Sequence, residues 1–321
     1  MNPMIRWMTA LGATMMVATA WAQAAYPSAP ISLVVPFAAG SGTDAVARIV
    51  VKKLGERLNQ PVLVDNKAGA NGQIAANFVA KAKPDGYTLL MTTNTSHSAN
   101  PSLVKDLKYD PIKDFTPIAR VGELPFALMV SAKEPAKSMG EWLAYARANP
   151  GKLSYATPNS TSLVASETIK RIGKVDVLGV PYKSSPQALT DLISGVIQMY
   201  VADVGSSMGM IKAGGVRVLA VTTKQSLSSL PGVPPIAESI PGFDLTSWNG
   251  IFGPAGVPRE VVDKLNTELQ AVLADKEVQA QLKQIGFEVW PSKTPDEFSR
   301  YVSDQLGHWA MMIRQAGIRA E

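Results

Sequence analysis

Apolar residues along this chain fall into two alternating patterns. Short unbroken apolar runs are each followed by a stretch in which apolar positions return every three or four residues. "ISLVV" (31–35) is such a run and predicts a buried parallel strand. Val46, Val50, Leu54 and Leu58 then recur every four residues, predicting a helix over 43–58 with one apolar stripe. "QPVLVDN" reads as a strand, "KAGANG" as a loop, 73–81 as a helix, "PDG" as a turn and "YTLLMTT" as a third strand. Strand and helix in alternation imply a parallel sheet with right-handed crossovers.

The pattern restarts in the second half. "FALMV" is extended, "KSMGEWLAYARANPG" helical, and "KLSYAT" a strand. The loop "PNSTS" precedes the helix "LVASETIKRIG", and the strand "VLGVPY" and loop "KSS" precede a helix opened by Pro186. "IQMYVAD" and "VRVLAVTT" follow as strands. A Pro/Gly-rich passage from "SSLPGVPPIAESIPGF" to "GPAGVP" reads as chain returning between domains. Pro258 opens a helix carrying Val261, Val262, Leu265 and Leu269 on one face. Thr294, Pro295 and Glu297 open another over Phe298, Val302, Leu306, Trp309 and Ile313.

Composition narrows the class. A chain of 321 residues, 46% hydrophobic and 18% charged, is long enough for two domains with real cores. Residues 1–24 combine Arg6, a weakly apolar run and "AQA" ending at Ala24, which predicts a secretory signal peptide cleaved after Ala24. The run is too interrupted by Thr and Gly to suit a membrane anchor. The absence of Cys excludes disulfides, thiolate chemistry and lipid-modified cysteine. Without Arg6 the chain keeps 30 basic residues against 26 acidic ones, with no basic block. That argues against nucleic-acid binding and mildly favours anionic ligands.

Candidate chemistry lies in the loops at the carboxyl ends of the strands, where parallel α/β sheets bind ligands. The first, "FAAGSGTD", offers Phe37, Ala39, Gly40, Ser41, Thr43 and Asp44 at a helix start, where free N–H groups favour an anion. Asp44 fits a cap better than an anion contact. The stretch lacks the Gly-Lys-Ser/Thr ending of a P-loop and the Gly-x-Ser-x-Gly of a nucleophile elbow. The second loop holds Ala70 and Asn71. The third offers Thr93, Asn94, Ser96 and His97, and the fourth Asn159, Ser160, Thr161 and Ser162. Tyr182 walls a fifth, beside Lys183, and Asp203 ends a strand where it orders a loop or meets a ligand's donor group. A lone His97 reads as a structural hydrogen-bonder, as does His308, and two such distant histidines exclude a His-based zinc site. No nucleophile stands beside a base, so small neutral donors point to recognition without catalysis. No metal or cofactor is implied.

"VPFAAGSGTDAVARIV", "NKAGANGQIAA", "DGYTLL", "NPSLVKDLKYDPIKDFTPIA", "VPYKSSPQAL", "RVLAV", "LPGVPPIAES", "WNGIFGPAGVP" and "WAMMIRQAGI" together resemble the Bug-type extracytoplasmic receptors of tripartite tricarboxylate transporters. The resemblance runs in order along the whole mature chain. It implies a type II periplasmic binding fold, with two α/β domains closing on a cleft. The expected division is 25–125 plus 245–321 for the first domain and 126–244 for the second. It also implies a monomeric periplasmic receptor for a di- or tricarboxylate or aromatic carboxylate, delivered to the large and small subunits of a membrane permease. Its first two loops would clasp a carboxylate partly through backbone. Ser41, Asn71, Asn159 and Leu163 depart from the usual pattern; the three polar ones are expected to add side-chain hydrogen bonds to the ligand. The alternatives are a sensing module docked to a membrane kinase and a secreted hydrolase or isomerase, the latter needing an acid–base pair the sequence does not show.

Overall fold

The computed structural model describes residues 26–321; the expected signal peptide and its cleavage after Ala24 lie outside them. The first sheet grows from β1 (Ile31–Val35), whose apolar side chains are buried on both faces because helices cover both. Ser41 caps α1 (Gly42–Leu58), and Asn59 ends it in the left-handed conformation. β2 (Val62–Asn66), α2 (Gln73–Ala80), β3 (Thr88–Thr93) and the short α3 (Asn100–Leu103) follow, with β1 parallel to both β2 and β3.

β4 (Phe115–Ser131) is the long element of the molecule, with 17 residues serving two sheets. The second sheet is completed by α4 (Met139–Ala148), β5 (Leu153–Thr157), α5 (Ser160–Gly173), β6 (Val177–Pro181), α6 (Ser185–Ser194), β7 (Tyr200–Asp203), α7 (Val204–Lys212) and β8 (Val216–Val221). The chain returns through β9 (Thr246–Pro254) and ends in α8 (Arg259–Ala274), α9 (Lys276–Gln284), β10 (Glu288–Val289) and α10 (Pro295–Ala316). β9 runs antiparallel to residues 115–125 of β4, whereas residues 126–131 of β4 pair with β7 and β8. The first sheet therefore reads β2-β1-β3-β9-β4-β10. The second reads β6-β5-β7-β4-β8, its β5–β7 link being the Tyr155–Met199 bridge.

α10 straps the two halves. Phe298 and Val302 pack in the core around Trp248 and Phe252, while Trp309, Ile313 and Ala316 join the core around Trp142 and Leu128. Where the chain passes between the sheets, buried Arg120 pairs with Glu123 at 2.6 Å and lies 3.8 Å from the Tyr301 ring centre.

Three sequence expectations need correction. Residues 92–103 are not a donor-rich loop: after β3, residues 95–99 form a π turn running into α3, and 92–100 are all buried. "PNSTS" is not loop throughout, because Asn159 caps α5 and Ser160–Ser162 form its first turn. β9, α7 and α9 were not anticipated. β9 hides among glycines and prolines that the crossing of two sheets tolerates, and α7 carries two glycines that weaken its helical signal.

Candidate functional site

The loops at the carboxyl ends of the parallel strands meet between the two sheets. In the β1–α1 loop, the conspicuous polar groups largely bond one another. Ser41 Oγ accepts the Asp44 N–H. Asp44 Oδ2 accepts from Gly40 N at 2.9 Å and Arg48 Nε at 3.0 Å, and Oδ1 accepts from Asn66 Nδ2 at 2.9 Å. Burial alone would raise the Asp44 pKa. The bonds from Arg48, the Gly40 amide and Asn66 outweigh it and hold the carboxyl below its ordinary range. At the helix start the Gly42 and Thr43 amides stay without a partner among the described residues.

The β2–α2 loop differs. Gly69, Ala70, Asn71 and Gly72 all have positive φ, at 129°, 46°, 49° and 79°. Left-handed backbone at two non-glycine residues costs on the order of 1–3 kcal/mol each and persists where surroundings enforce it. Asn100 does so by donating Nδ2 to the Asn71 carbonyl at 2.9 Å. α2 starts with no side-chain cap, and the amides of Ala70 and Asn71 have no partner among the described residues. Successive amides in such a turn form a concavity suited to an anion.

Across from these loops, a seam of neutral groups joins the domains. Asn94 Nδ2 donates to Thr161 Oγ1 at 3.0 Å and Ser160 Oγ at 3.2 Å, Ser160 Oγ donates to Thr95 Oγ1 at 3.0 Å, and Ser247 Oγ donates to Asn94 Oδ1 at 2.6 Å. Ala38 N donates to Ser184 Oγ at 3.2 Å. Contact is closest at Gly42, where a Cβ would fall 2.2 Å from Asp203 Oδ1 and 2.6 Å from Leu124 Cδ2. A side chain there would hold the domains apart.

Two spaces result. An inner chamber of ≈ 20 Å³ is lined by Phe37, Ser41, Thr43, Thr93, Asn159 and Asp203, among the expected residues, and by Gly42, Thr95, Leu124, Phe126, Ser185 and Ser247, which were not expected. The N-termini of α1, α5, α6 and α7 converge on it. An outer groove of ≈ 990 Å³ is lined by Ala70, Asn71, Asn159 and Tyr182, again as expected, with Tyr155, Leu163, Lys183 and the chain end from Gly317 to Glu321. Asn159 borders both spaces. Lys183 and Arg319 face the groove without an ion pair among the described residues, whereas Glu167 bonds the Tyr155 hydroxyl and meets Lys170. The rim thus carries two unpaired cations together with the Glu321 carboxylate at the chain end, which also has no ion pair among the described residues.

The remaining expected residues line neither space. Ala39 and Gly40 are exposed and Asp44 lies behind its loop. Asn94, Ser160 and Thr161 build the seam. Ser162 is internal to the second domain, donating Oγ to the Val201 carbonyl at 2.8 Å. Ser96 and His97 are not brought to the cleft. His97 is packed between Phe252 and Phe115, with ring centres 4.3 and 4.5 Å away, and burial pushes its pKa down to about 3, so it stays neutral. His308 is exposed on α10 rather than structural. Nor do the pattern-breaking polar residues simply offer themselves to a ligand. Ser41 and Asn159 are helix caps, and Asn71 serves through its backbone. The tyrosine of the fifth loop donates its hydroxyl to Asp191 at 2.8 Å; burial first, then that carboxylate, pushes its pKa up to about 12. Ser185 and Ser247 gave no sequence signal beyond standing beside a helix start and a strand, and nothing in the sequence placed the chain end in the cleft wall.

Comparison with known proteins agrees with this arrangement. A family model described as "Tripartite tricarboxylate transporter family receptor" matches residues 46–318. "R. palustris Rpa4515 with adipate" superposes with a TM-score of 0.89 at 34% identity, covering 92% of this chain and all of the other. "Structure of periplasmic binding protein BugD" gives 0.88 at 34% identity, with 92% and 100% coverage. "MatC (Rpa3494) from Rhodopseudomonas palustris with bound malate" gives 0.85 at 30% identity, with 90% and 100% coverage. The fold is the two-domain α/β fold of type II periplasmic binding proteins, with the cleft between the domains.

Proposed function

The chain belongs to the tripartite tricarboxylate transporter receptor family, which consists of periplasmic solute receptors and not enzymes, and on that footing we propose that it captures a small carboxylate in its interdomain cleft for a tripartite permease. The observation that carries this reading is the strained β2–α2 loop, which leaves the Ala70 and Asn71 amides without a partner among the described residues, at the head of a groove whose rim carries Lys183 and Arg319 as well as Glu321. The ligand's carboxylate lies on those amides, facing the start of α5, with Asn159, Leu163 and Tyr182 as the opposing wall. Hydrogen bonds to a charged ligand group contribute about 1.5–3 kcal/mol each, and closure strengthens them by excluding water. Dicarboxylates suit the groove best, given the adipate and malate named for the two R. palustris proteins. We take 25–125 plus 245–321 and 126–244 as the two closing bodies. We place the mature protein in the periplasm after cleavage following Ala24, acting as a monomer that hands its ligand to the large and small permease subunits.

Thermal melting against aliphatic and aromatic mono-, di- and tricarboxylates and their neutral amides tests this. A ligand at about a hundred times its Kd stabilises by about 2.7 kcal/mol. A shift with an acid and none with its amide is expected. Equal shifts with acid and amide, or none with any acid, would contradict the reading.

A further inference from the structure

Asp203 is the one carboxylate lining the inner chamber, and it is 3% exposed. Its oxygens are set up as acceptors. Oδ1 accepts the Ser206 N–H at 2.7 Å, and Oδ2 accepts the Ser185 hydroxyl at 2.9 Å. Tyr200 donates its own hydroxyl to Ser185 Oγ at 2.9 Å, so the Ser185 proton is left pointing at Asp203. Among the described residues no lysine, arginine or histidine lines the chamber. Its ≈ 20 Å³ matches one water-sized group. A ligand carboxylate would be too large for it and would meet the Asp203 charge with no cation between them.

We propose that Asp203 is a specificity residue that accepts a hydrogen bond from a hydroxyl or ammonium carried on the ligand's carbon chain, while the ligand's carboxylate lies on the Ala70–Asn71 amides. Asn159 borders both spaces, so the groove and the chamber adjoin at that residue. Burial raises the pKa of Asp203, so a donor arriving there relieves a carboxylate that the fold has desolvated. Four converging helix starts and the Gly42 contact fix the carboxylate in place before any ligand enters. The inference rests on the carboxylate-receptor reading and narrows it to acids bearing a donor.

The test is calorimetric titration of the purified protein with matched acids: succinate, malate and aspartate; glutarate and glutamate; phenylacetate, mandelate and phenylglycine. Asp203→Asn and Asp203→Ser are measured beside the wild type, and both residues can still cap α7. The hydroxy or amino acid of a series is expected to bind about ten- to a hundredfold more tightly than its unsubstituted parent, the worth of one hydrogen bond to a charged group. In both variants that preference, read as the ratio of substituted to unsubstituted affinity within each protein, collapses, most for the ammonium-bearing acid. Equal binding of substituted and unsubstituted acids by the wild type would overturn the inference and leave the carboxylate reading standing. Binding of none of these acids would overturn both.

Discussion

The β1–α1 and β2–α2 loops occupy equivalent places, at the carboxyl ends of adjacent parallel strands, yet they treat charge in opposite ways. The first is rich in polar side chains and already holds carboxylates: Asp44 from behind and Asp203 from the facing domain. The second has no acidic side chain within it, no capping side chain and four successive positive φ values that leave two amides free. A loop's polar residues show what it can bond, and the partners those residues already have show what it still needs. By that measure the plainer loop is the one we propose as the anion receptor, and the richer one is a docking face for the second domain.

Placing a charge in the second loop breaks the contrast most severely. Asn71→Asp sets a carboxylate beside the proposed anion position, and at 4 Å and an effective dielectric of 20 the repulsion is about 4 kcal/mol. Carboxylate affinity should fall by more than about a hundredfold by calorimetry, with the melting temperature of the free protein little changed. In the first loop the sensitive position is Gly42, for steric reasons. Gly42→Ala should cost about 1–3 kcal/mol of closure by overpacking against Asp203 and Leu124. Small-angle scattering would show a protein that no longer contracts with ligand. Gly209→Ala, with nothing within 4 Å of the added Cβ, is the control and should leave scattering unchanged.

Acid sharpens the same contrast, because the first loop titrates and the second does not. Asp44 has a lowered pKa in the fold, so its stabilisation is full above the unfolded value near 4 and is lost as pH falls through the folded value. His97 adds to the acid loss. Its folded pKa of about 3 lies below the unfolded value near 6.5, so stability falls by up to about 1.4 kcal/mol per pH unit between those limits. Denaturant titrations from pH 7 to 4 should show that slope, and His97→Gln should flatten it. The rim charges come last. Lys183→Ala or Arg319→Ala should weaken binding by about 0.2–1 kcal/mol, through the association rate, with the difference vanishing in high salt.

Much of the fold was legible because its signals are local. Val46, Val50, Leu54 and Leu58 mark α1, and Thr294 with Glu297 marks the start of α10, since periodicity and capping are written within one turn of chain. β9 and the first half of β4 were not legible. Their partner is another distant segment, and glycines at 250 and 253 make room for Phe298 and Val257 instead of filling the strand. At the site, residue types that favour small-molecule recognition were visible, and half of the residues singled out do line the two spaces. What could not be read was partnership. Asn94 and Thr161 have the same chemistry as Thr93 and Asn159, and the approach of a second domain decides which of them are spent on the seam and which line a space.

Backbone amide shifts followed by nitrogen–proton correlation spectroscopy during titration with the tightest-binding acid test the account most directly. The Ala70 and Asn71 amide protons should move downfield as they bond the carboxylate, saturating with the calorimetric Kd, while the Gly42 and Thr43 amides change less. Downfield shifts at Gly42 and Thr43 with Ala70 and Asn71 unmoved would place the anion on the first loop and contradict it.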